Sequence, residues 1–562
     1  AIIDVQECAR QPMHYGQRYV IIHNGELYNY LELRKELEQK GFPFITQSDT
    51  EVIIAAYAAW GAECLQRFDG MFAFAIWDEK EQTLFAARDR LGEKPFLFFY
   101  NEEEFLFASE MKALWAAGVA KEVNHALLYN FLTTGYTANP ADPSETFFQH
   151  MQKLPAASCL QYTAATHQLT IEKYWQLNTE EYEDIKEEVA MEQFQHLLQE
   201  SVRKRLRSDV PIGTSLSGGL DSSGIVALCA QQNATQYTHT CFTAVFPNFQ
   251  KNEQAYAVQV AEQYQLKHYL VEVAEKDVMD MMTKVAYHQE EPYSSASNIA
   301  QYIVYQKAKQ EGVTVLLDGQ GADEVLAGYH KYYKWRWQEL YRQKRLKKSG
   351  ELAAARQLGV QETFDLRNKA AALFPHFVAA LLQTVKSKKA AQQPFLHPDF
   401  AYAHKQDSYY SLPTTPDLNG ALYFNTFIYG LEELLRYADR NSMAHATEIR
   451  LPFLQHQLVE LLFSLPAHFK IRNGWTKWLL RGAMEPSLPL DIVWRRDKVG
   501  FEPPQQKWMK LKSVQEQITA AKEKLVREKI LNASVLRKKI QPHAAHAADP
   551  FDWRFWSAGQ IM

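Results

Sequence analysis

The sequence has little of what would mark several protein classes. Cysteine is scarce: Cys8, Cys64, Cys159, Cys229 and Cys241 stand singly among 562 residues, with no CxxC pair. Zinc-ribbon and dithiol motifs are thereby excluded, and an odd number makes no disulfide framework. The five read as buried free thiols of a reducing, cytoplasmic compartment. Long apolar runs are also missing. MFAFAIW (71–77) is short, and the apolar window at 370–385 is broken by Pro375, His376 and Gln383. A membrane-spanning helix needs roughly 20 apolar residues, so no membrane partner is expected. Charge of one sign is not in excess: 61 Lys plus Arg against 66 Asp plus Glu leave a net −5, which is no footprint of a nucleic-acid binder. The opening AIIDVQECAR does not read as a signal peptide.

The chain organises into two dissimilar halves. Residues 1–177 hold short β-like runs, including 19–22, MFAFAIW, TLFAARD (83–89), FLFFY (96–100) and FLFAS (105–109), with helical patterns at 30–40 and 49–60. Strand clusters separated by helices predict an α+β sandwich. The acidic stretch around 178–190 reads as a linker. From 191 to 562 the pattern changes to strand and helix in alternation: a helix near 191–206, then strands at 212–216, 239–247 and 313–319. That alternation predicts an α/β doubly wound parallel sheet, with a mostly helical remainder beyond Tyr329. The Lys/Arg-rich stretches at 343–348 and 386–389 read as solvated helix faces.

The most specific segment is VPIGTSLSGGLDSS (210–223), an apolar strand, a Gly-rich turn and a helix start. Backbone N–H groups of such a turn approach an anion closely, and the helix N-terminus adds a favourable dipole. Ser217, Ser222 and Ser223 offer hydroxyl donors, and Asp221 offers a hard oxygen for Mg2+. The turn has neither the GK[ST] of a Walker loop nor a GxGxxG fingerprint. SGGLDSS resembles the pyrophosphate loop of the ATP pyrophosphatases. LDGQGADE (317–324), RYADRNSMAHATEIRLPFL (436–454) and NGWTKWLLR (473–481) resemble the synthetase half of the glutamine-hydrolysing asparagine synthetase family. HNGELYNY (23–30), SDTEVI (48–53), ARDRLGEKP (87–95) and FASEMKAL (107–114) resemble its N-terminal glutaminase half.

The resemblance implies an ATP-dependent amide-forming ligase that turns aspartate, ATP and glutamine or ammonia into asparagine, AMP and pyrophosphate through a β-aspartyl-adenylate. Leu216 and Ala244 are then expected at the adenosine. Ser217, Gly218, Gly219, Asp221 and Ser222 are expected at the phosphates, and Asp318 with Gly319 beside the nucleotide. Asp221 and Asp323 match the aspartates that hold Mg2+ with pyrophosphate, and Lys477 matches a lysine at the α-phosphate. Ile2, Asn24, Gly25, Glu26 and Asp49 match glutamine-binding positions, and a homodimer is implied as well. Gln320 departs from the acidic residue many relatives carry, and a glutamine cannot act as a base. A related amidotransferase acting on another carboxylate, such as a sugar uronate, therefore stays open, as does an idle binding protein on the same fold. Glutaminases of this class use an N-terminal cysteine. Against the family, AIID corresponds to an internal strand, so the first half is expected to lack its N-terminal segment. Cys8 is not at the nucleophile's position, and as it stands the chain is not expected to hydrolyse glutamine.

Overall fold

The computed structural model describes residues 2–182, 184–232, 239–413, 415–496 and 500–562. In the first half the strands are β1 (Met13–Tyr15), β2 (Tyr19–Leu27), β3 (Gly70–Asp78), β4 (Thr83–Arg88), β5 (Leu97–Tyr100), β6 (Phe105–Ala108), β7 (Gln152–Lys153), β8 (Ser158–Thr163) and β9 (Gln168–Lys173). They form an antiparallel six-stranded sheet, β1-β2-β3-β4-β8-β9, and a three-stranded sheet, β6-β5-β7. The period-two pattern of β3 explains the layering. Phe72, Phe74 and Ile76 point to one face and pack under helices Tyr30–Gln39 and Asp49–Trp60, while Ala73 and Ala75 point to the other and meet Phe96 and Phe98 near the second sheet. The small alanines let the two sheets approach.

The second half is built on β10 (Ile212–Ser215), β11 (Thr240–Val245), β12 (Lys267–Glu272), β13 (Val315–Leu317) and β14 (Glu448–Arg450), all parallel, in the order β12-β11-β10-β13-β14. The order reverses between β10 and β13. At such a switch point the loops leaving the carboxyl ends of the two strands diverge and open a crevice. Those loops are 216–219 after β10 and 318–321 after β13, the two segments singled out from sequence.

Three expectations need correction. The helix read as 191–206 spans Glu187–Arg205, so it begins inside the stretch read as a linker. Glu187 and Glu188 suit its first turn and Arg203, Lys204 and Arg205 its last, complementing the helix dipole. Before the helix the described residues of that stretch are mostly exposed, with a tie to the second half, the Tyr182 N–H donating to the Ser464 carbonyl at 2.8 Å. The cysteines are free but not all buried: Cys8 is exposed and Cys159 half-buried. Strands β12 and β14 were not anticipated. The first is an edge strand with a mixed pattern, and the second is only Glu-Ile-Arg, charged side chains concealing a fully buried strand.

Candidate functional site

The crevice holds a cavity of about 420 Å3, lined among others by Ser217, Gly219, Asp221, Ser222, Asp318, Gly319, Gln320, Asp323 and Lys477. An adjoining one of about 180 Å3 is lined by Leu216, Phe242, Ala244, Phe246, Val304 and Phe501. Ser217, Ser222, Asp318 and Gln320 border both. The smaller space is the more apolar of the two, though Lys251, Glu253 and Glu502 also line it, and the larger mixes apolar surface with the charged ends of Asp221, Asp323 and Lys477.

The loop after β10 is held by its own hydroxyls. The Ser217 N–H donates to Ser222 Oγ at 3.1 Å, and the Gly219 N–H donates to Ser217 Oγ at 3.2 Å. Gly218 has φ +78°, and a Cβ there would lie 2.6 Å from the Ala257 nitrogen, so this position requires glycine. Gly219 then caps helix Leu220–Gln231, whose N-terminus faces the crevice. Gly319 brings the second loop against the first, since a Cβ on it would meet Asp221 Cβ at 2.9 Å.

Lys477 joins the loops. It sits at φ +53° just before helix Trp478–Met484, is 4% exposed, and places Nζ 2.5 Å from Asp221 Oδ2 and 2.6 Å from Asp323 Oδ1. Two carboxylates share one ammonium, and Asp221 Oδ1 is buried without a hydrogen-bond partner. Behind them Tyr329 donates to Glu324 at 2.6 Å. Burial and the Asp323 charge raise the Glu324 carboxyl above its ordinary range. Asp318 is likewise raised by burial, against hydrogen bonds from Ser215 and from the Gln320 and Gly319 backbone. Gln320 turns a buried, unpartnered Oε1 between the two cavities.

Several lining residues were not assigned from sequence. Phe242, Phe246 and Phe501 enclose the smaller space, and Arg481 stacks 4.7 Å over Trp475 with burial pulling its guanidinium down to about 10. Tyr437 lies in the quoted RYADRNSM motif, so a signal existed for it. Arg495 pairs with Glu253 at 2.6 Å across 242 residues, which no local pattern reveals.

The first-half residues gather elsewhere. Asn24, Gly25 and Glu26 lie on β2 opposite Ala73, Phe72 and Met71. Gly25 has φ +131°, and a Cβ would come 2.0 Å from the Met71 carbonyl oxygen. Asn24 donates to Ser109 Oγ at 3.1 Å. Ser48 caps helix Asp49–Trp60, leaving the Asp49 carboxylate to accept the Leu27 N–H at 2.8 Å at the end of β2. Glu26 and Asp49 are buried close together, with Arg450 Nη2 3.5 Å from Glu26. Burial, opposed by the Leu27 N–H, pushes Asp49 up to about 6, and burial beside Asp49 and Glu448 raises Glu26 well above its ordinary value. Ile2 is placed apart from this pair in its contacts: its carbonyl accepts the Asp209 N–H at 3.0 Å, and its side chain packs on the core of the second half.

Comparison with known families decides the lineage. The asparagine synthase family model matches residues 193–561. The chain belongs to the asparagine synthase family. A glutamine amidotransferase domain matches residues 1–175 of the same chain. Among curated relatives, asparagine synthetase [glutamine-hydrolyzing] 1 of Bacillus subtilis is 30% identical over 516 residues, covering 91% of this chain and 80% of its own length. Asparagine synthetase [glutamine-hydrolyzing] 3 of the same organism is 30% identical over 523 residues, covering 88% and 78%. The amidase chry2 of Gibberella zeae is 26% identical over 563 residues, covering 90% and 80%. The two-part organisation of this asparagine synthase family member thus extends over nearly the whole chain.

Proposed function

We propose that the chain is an ATP-dependent asparagine synthase that activates the side-chain carboxylate of aspartate as an acyl-adenylate and converts it to the amide with nitrogen from glutamine or ammonia. The carrying observation is Lys477 between Asp221 and Asp323 at the mouth of the 217–222 loop. In this reading the division of labour follows 1–177 for the amide donor and 191–562 for adenylation. The aromatic space at Leu216 and Ala244 takes adenine, the backbone N–H groups of 217–219 and the Ser222 hydroxyl take phosphate oxygens, and Asp318 with Gly319 borders the nucleotide.

Attack of the aspartate carboxylate on the α-phosphorus crowds negative charge onto one centre. Lys477 supplies a buried, preorganised cation there and again as AMP departs. Mg2+ fits Asp221 and Asp323, since two carboxylates answer a single ammonium and Asp221 Oδ1 has no other partner. Bound there together with phosphate oxygens, it would offset the charge of the pyrophosphate leaving group. Gln320 presents an amide to the acyl group. Being neutral it orients rather than accepts a proton, and this feature, with Asp318 where the family has a serine, favours a different carboxylate as acceptor. The decisive assay is pyrophosphate release from Mg-ATP and ammonium with aspartate, without it, and with other carboxylates. Aspartate-dependent release with equal asparagine supports this reading, and release only with another acid replaces it.

Gly328→Ala offers a local check. A Cβ there would lie 1.8 Å from Asp323 Oδ1 and 2.3 Å from Lys477 Cε, so both charged ends must move while the backbone is spared. Pyrophosphate release should fall at least about tenfold with the thermal midpoint nearly unchanged, because a misplaced electrostatic group loses its transition-state contribution.

In the first half, Glu26 and Asp49 are suited to the α-ammonium of glutamine. The Asp49 carboxyl titrates near 6 because it is buried. Below that pH it is neutral and loses its attraction for a cation. Glutamine binding, followed by calorimetry, should therefore weaken as pH falls through about 6, and Asp49→Asn should remove that step and most of the affinity, leaving only the dependence due to the raised Glu26 carboxyl.

A further inference from the structure

Helix Pro375–Ala391 runs for 17 residues, yet Ala390 is its one buried residue. Among the described residues its main neighbours are the flanking helices Leu366–Leu373 and Pro398–His404, with Ala390 joining a core cluster at its C-terminal end. Most helices of a globular chain bury an apolar stripe. Here Phe377, Leu381 and Val385 recur four residues apart, and they are 72%, 53% and 53% exposed. At about 100° per residue they fall, with Val378 and Leu382, on an arc of about 140°, roughly opposite the side on which Ala390 is buried. Leu373 and Phe374 extend the exposed apolar surface at the N-terminal end.

The charge of this segment is as one-sided as its burial. Residues 366–398 contain Arg367, Lys369, Lys386, Lys388 and Lys389 and not one Asp or Glu, in a chain whose net charge is −5. Lys388 and Lys389 flank the apolar stripe at its C-terminal end, where long side chains reach outward past an apolar contact. A second copy meeting this surface with the same surface would bring cations to a stretch that has no carboxylate to receive them. A nucleic acid would satisfy the cations but leave the phenylalanines and leucines in water. An anionic lipid surface satisfies both at once, with apolar side chains at the acyl boundary and lysines at the phosphates. No helix among the described residues is long and apolar enough to cross a membrane, so the contact would be peripheral.

We propose that helix Pro375–Ala391 docks this enzyme on anionic lipid surfaces, with the Phe377–Leu381–Val385 stripe entering the interface and Lys386, Lys388 and Lys389 meeting headgroup phosphates. The test is co-sedimentation of the full chain with phosphatidylcholine vesicles, with and without roughly one-third phosphatidylglycerol. Wild type should partition onto the anionic vesicles and be released by high salt. Lys386→Ala/Lys388→Ala/Lys389→Ala should weaken partitioning about a hundredfold, the product of about fivefold per lysine. Phe377→Ser/Leu381→Ser should weaken it at least about tenfold, because the apolar area is lost. Both variants should keep wild-type pyrophosphate release, which shows that they fold. Partitioning that inorganic phosphate displaces at low millimolar concentration would mean a phosphate site rather than a surface, and would overturn the proposal. So would absence of partitioning by wild type, or an oligomer in analytical ultracentrifugation that Phe377→Ser/Leu381→Ser dissolves, since the face would then belong to a second copy.

Discussion

Lys477→Ala should lower aspartate-dependent pyrophosphate release by about 10²–10³ in kcat, the usual consequence of removing one preorganised group that stabilises developing transition-state charge. Two features make the effect large. The ammonium is 4% exposed, so water cannot replace it, and it answers two carboxylates at 2.5 and 2.6 Å that are left facing each other when it goes. Nucleotide binding should survive, because the loop that faces the phosphates is held by Ser217 and Ser222 and not by the lysine. Calorimetry with ATP would separate the two. Lys477→Arg should not rescue activity: Gly328 lies so close that a single added carbon would come 2.3 Å from Lys477 Cε, leaving no room for a planar guanidinium. Retention of more than about a tenth of kcat by Lys477→Ala would remove the lysine from the α-phosphate role.

The residues that carry this argument were unequally legible. SGGLDSS and DGQGADE could be read because each packs its chemistry into a few consecutive residues after an apolar strand. The structure brings them together for a simple topological reason: β10 and β13 are neighbours at the point where strand order reverses. Lys477 was visible only through a motif match, since nothing local distinguishes it from a solvated lysine. Its burial depends on contacts with residues 256 and 154 positions away. The wall formed by Phe501, Arg495 and Glu253 had no local signal, because its parts pair across the whole second half. Strand β14 was hidden for the opposite reason. Its Glu448 and Arg450 look like surface residues, yet Arg450 is fully buried, bonding Glu448 at 2.8 Å and the carbonyls of Arg205 and Arg207. The exposed stripe at 377–385 reversed the usual inference. In sequence this window reads only as too broken to span a membrane, and the fold reveals that the body of the protein lies on the other side of the helix.

Lys94→Met should destabilise the protein by about 3–5 kcal/mol, the scale on which a buried ion pair fails when one partner is removed. Lys94 belongs to ARDRLGEKP in the first half, where Asp89 organises the turn by accepting the N–H groups of Leu91, Glu93 and Lys94 at 2.9–3.1 Å. The turn projects the Lys94 Nζ onto Asp439 Oδ1 at 3.0 Å, with side chains 3% and 7% exposed. Burial opposes the charge on Lys94, but Asp439 and Glu448 outweigh it and raise its pKa. Asp439 lies on helix Leu431–Met443 of the second half, which also presents Glu432 to Arg88 and Lys153 at 2.8 and 3.1 Å. The helix therefore carries part of the charged seam between the halves, and Lys94–Asp439 is the most buried of the cross-half pairs it makes among the described residues. Lys94→Met strands Asp439 without a cation in a medium that solvates it poorly, whereas Lys94→Met/Asp439→Leu removes both charges and should recover most of the loss. Urea unfolding of the two variants against wild type measures the difference. If the single and double variants lose equal stability, the seam is held by packing rather than by this pair.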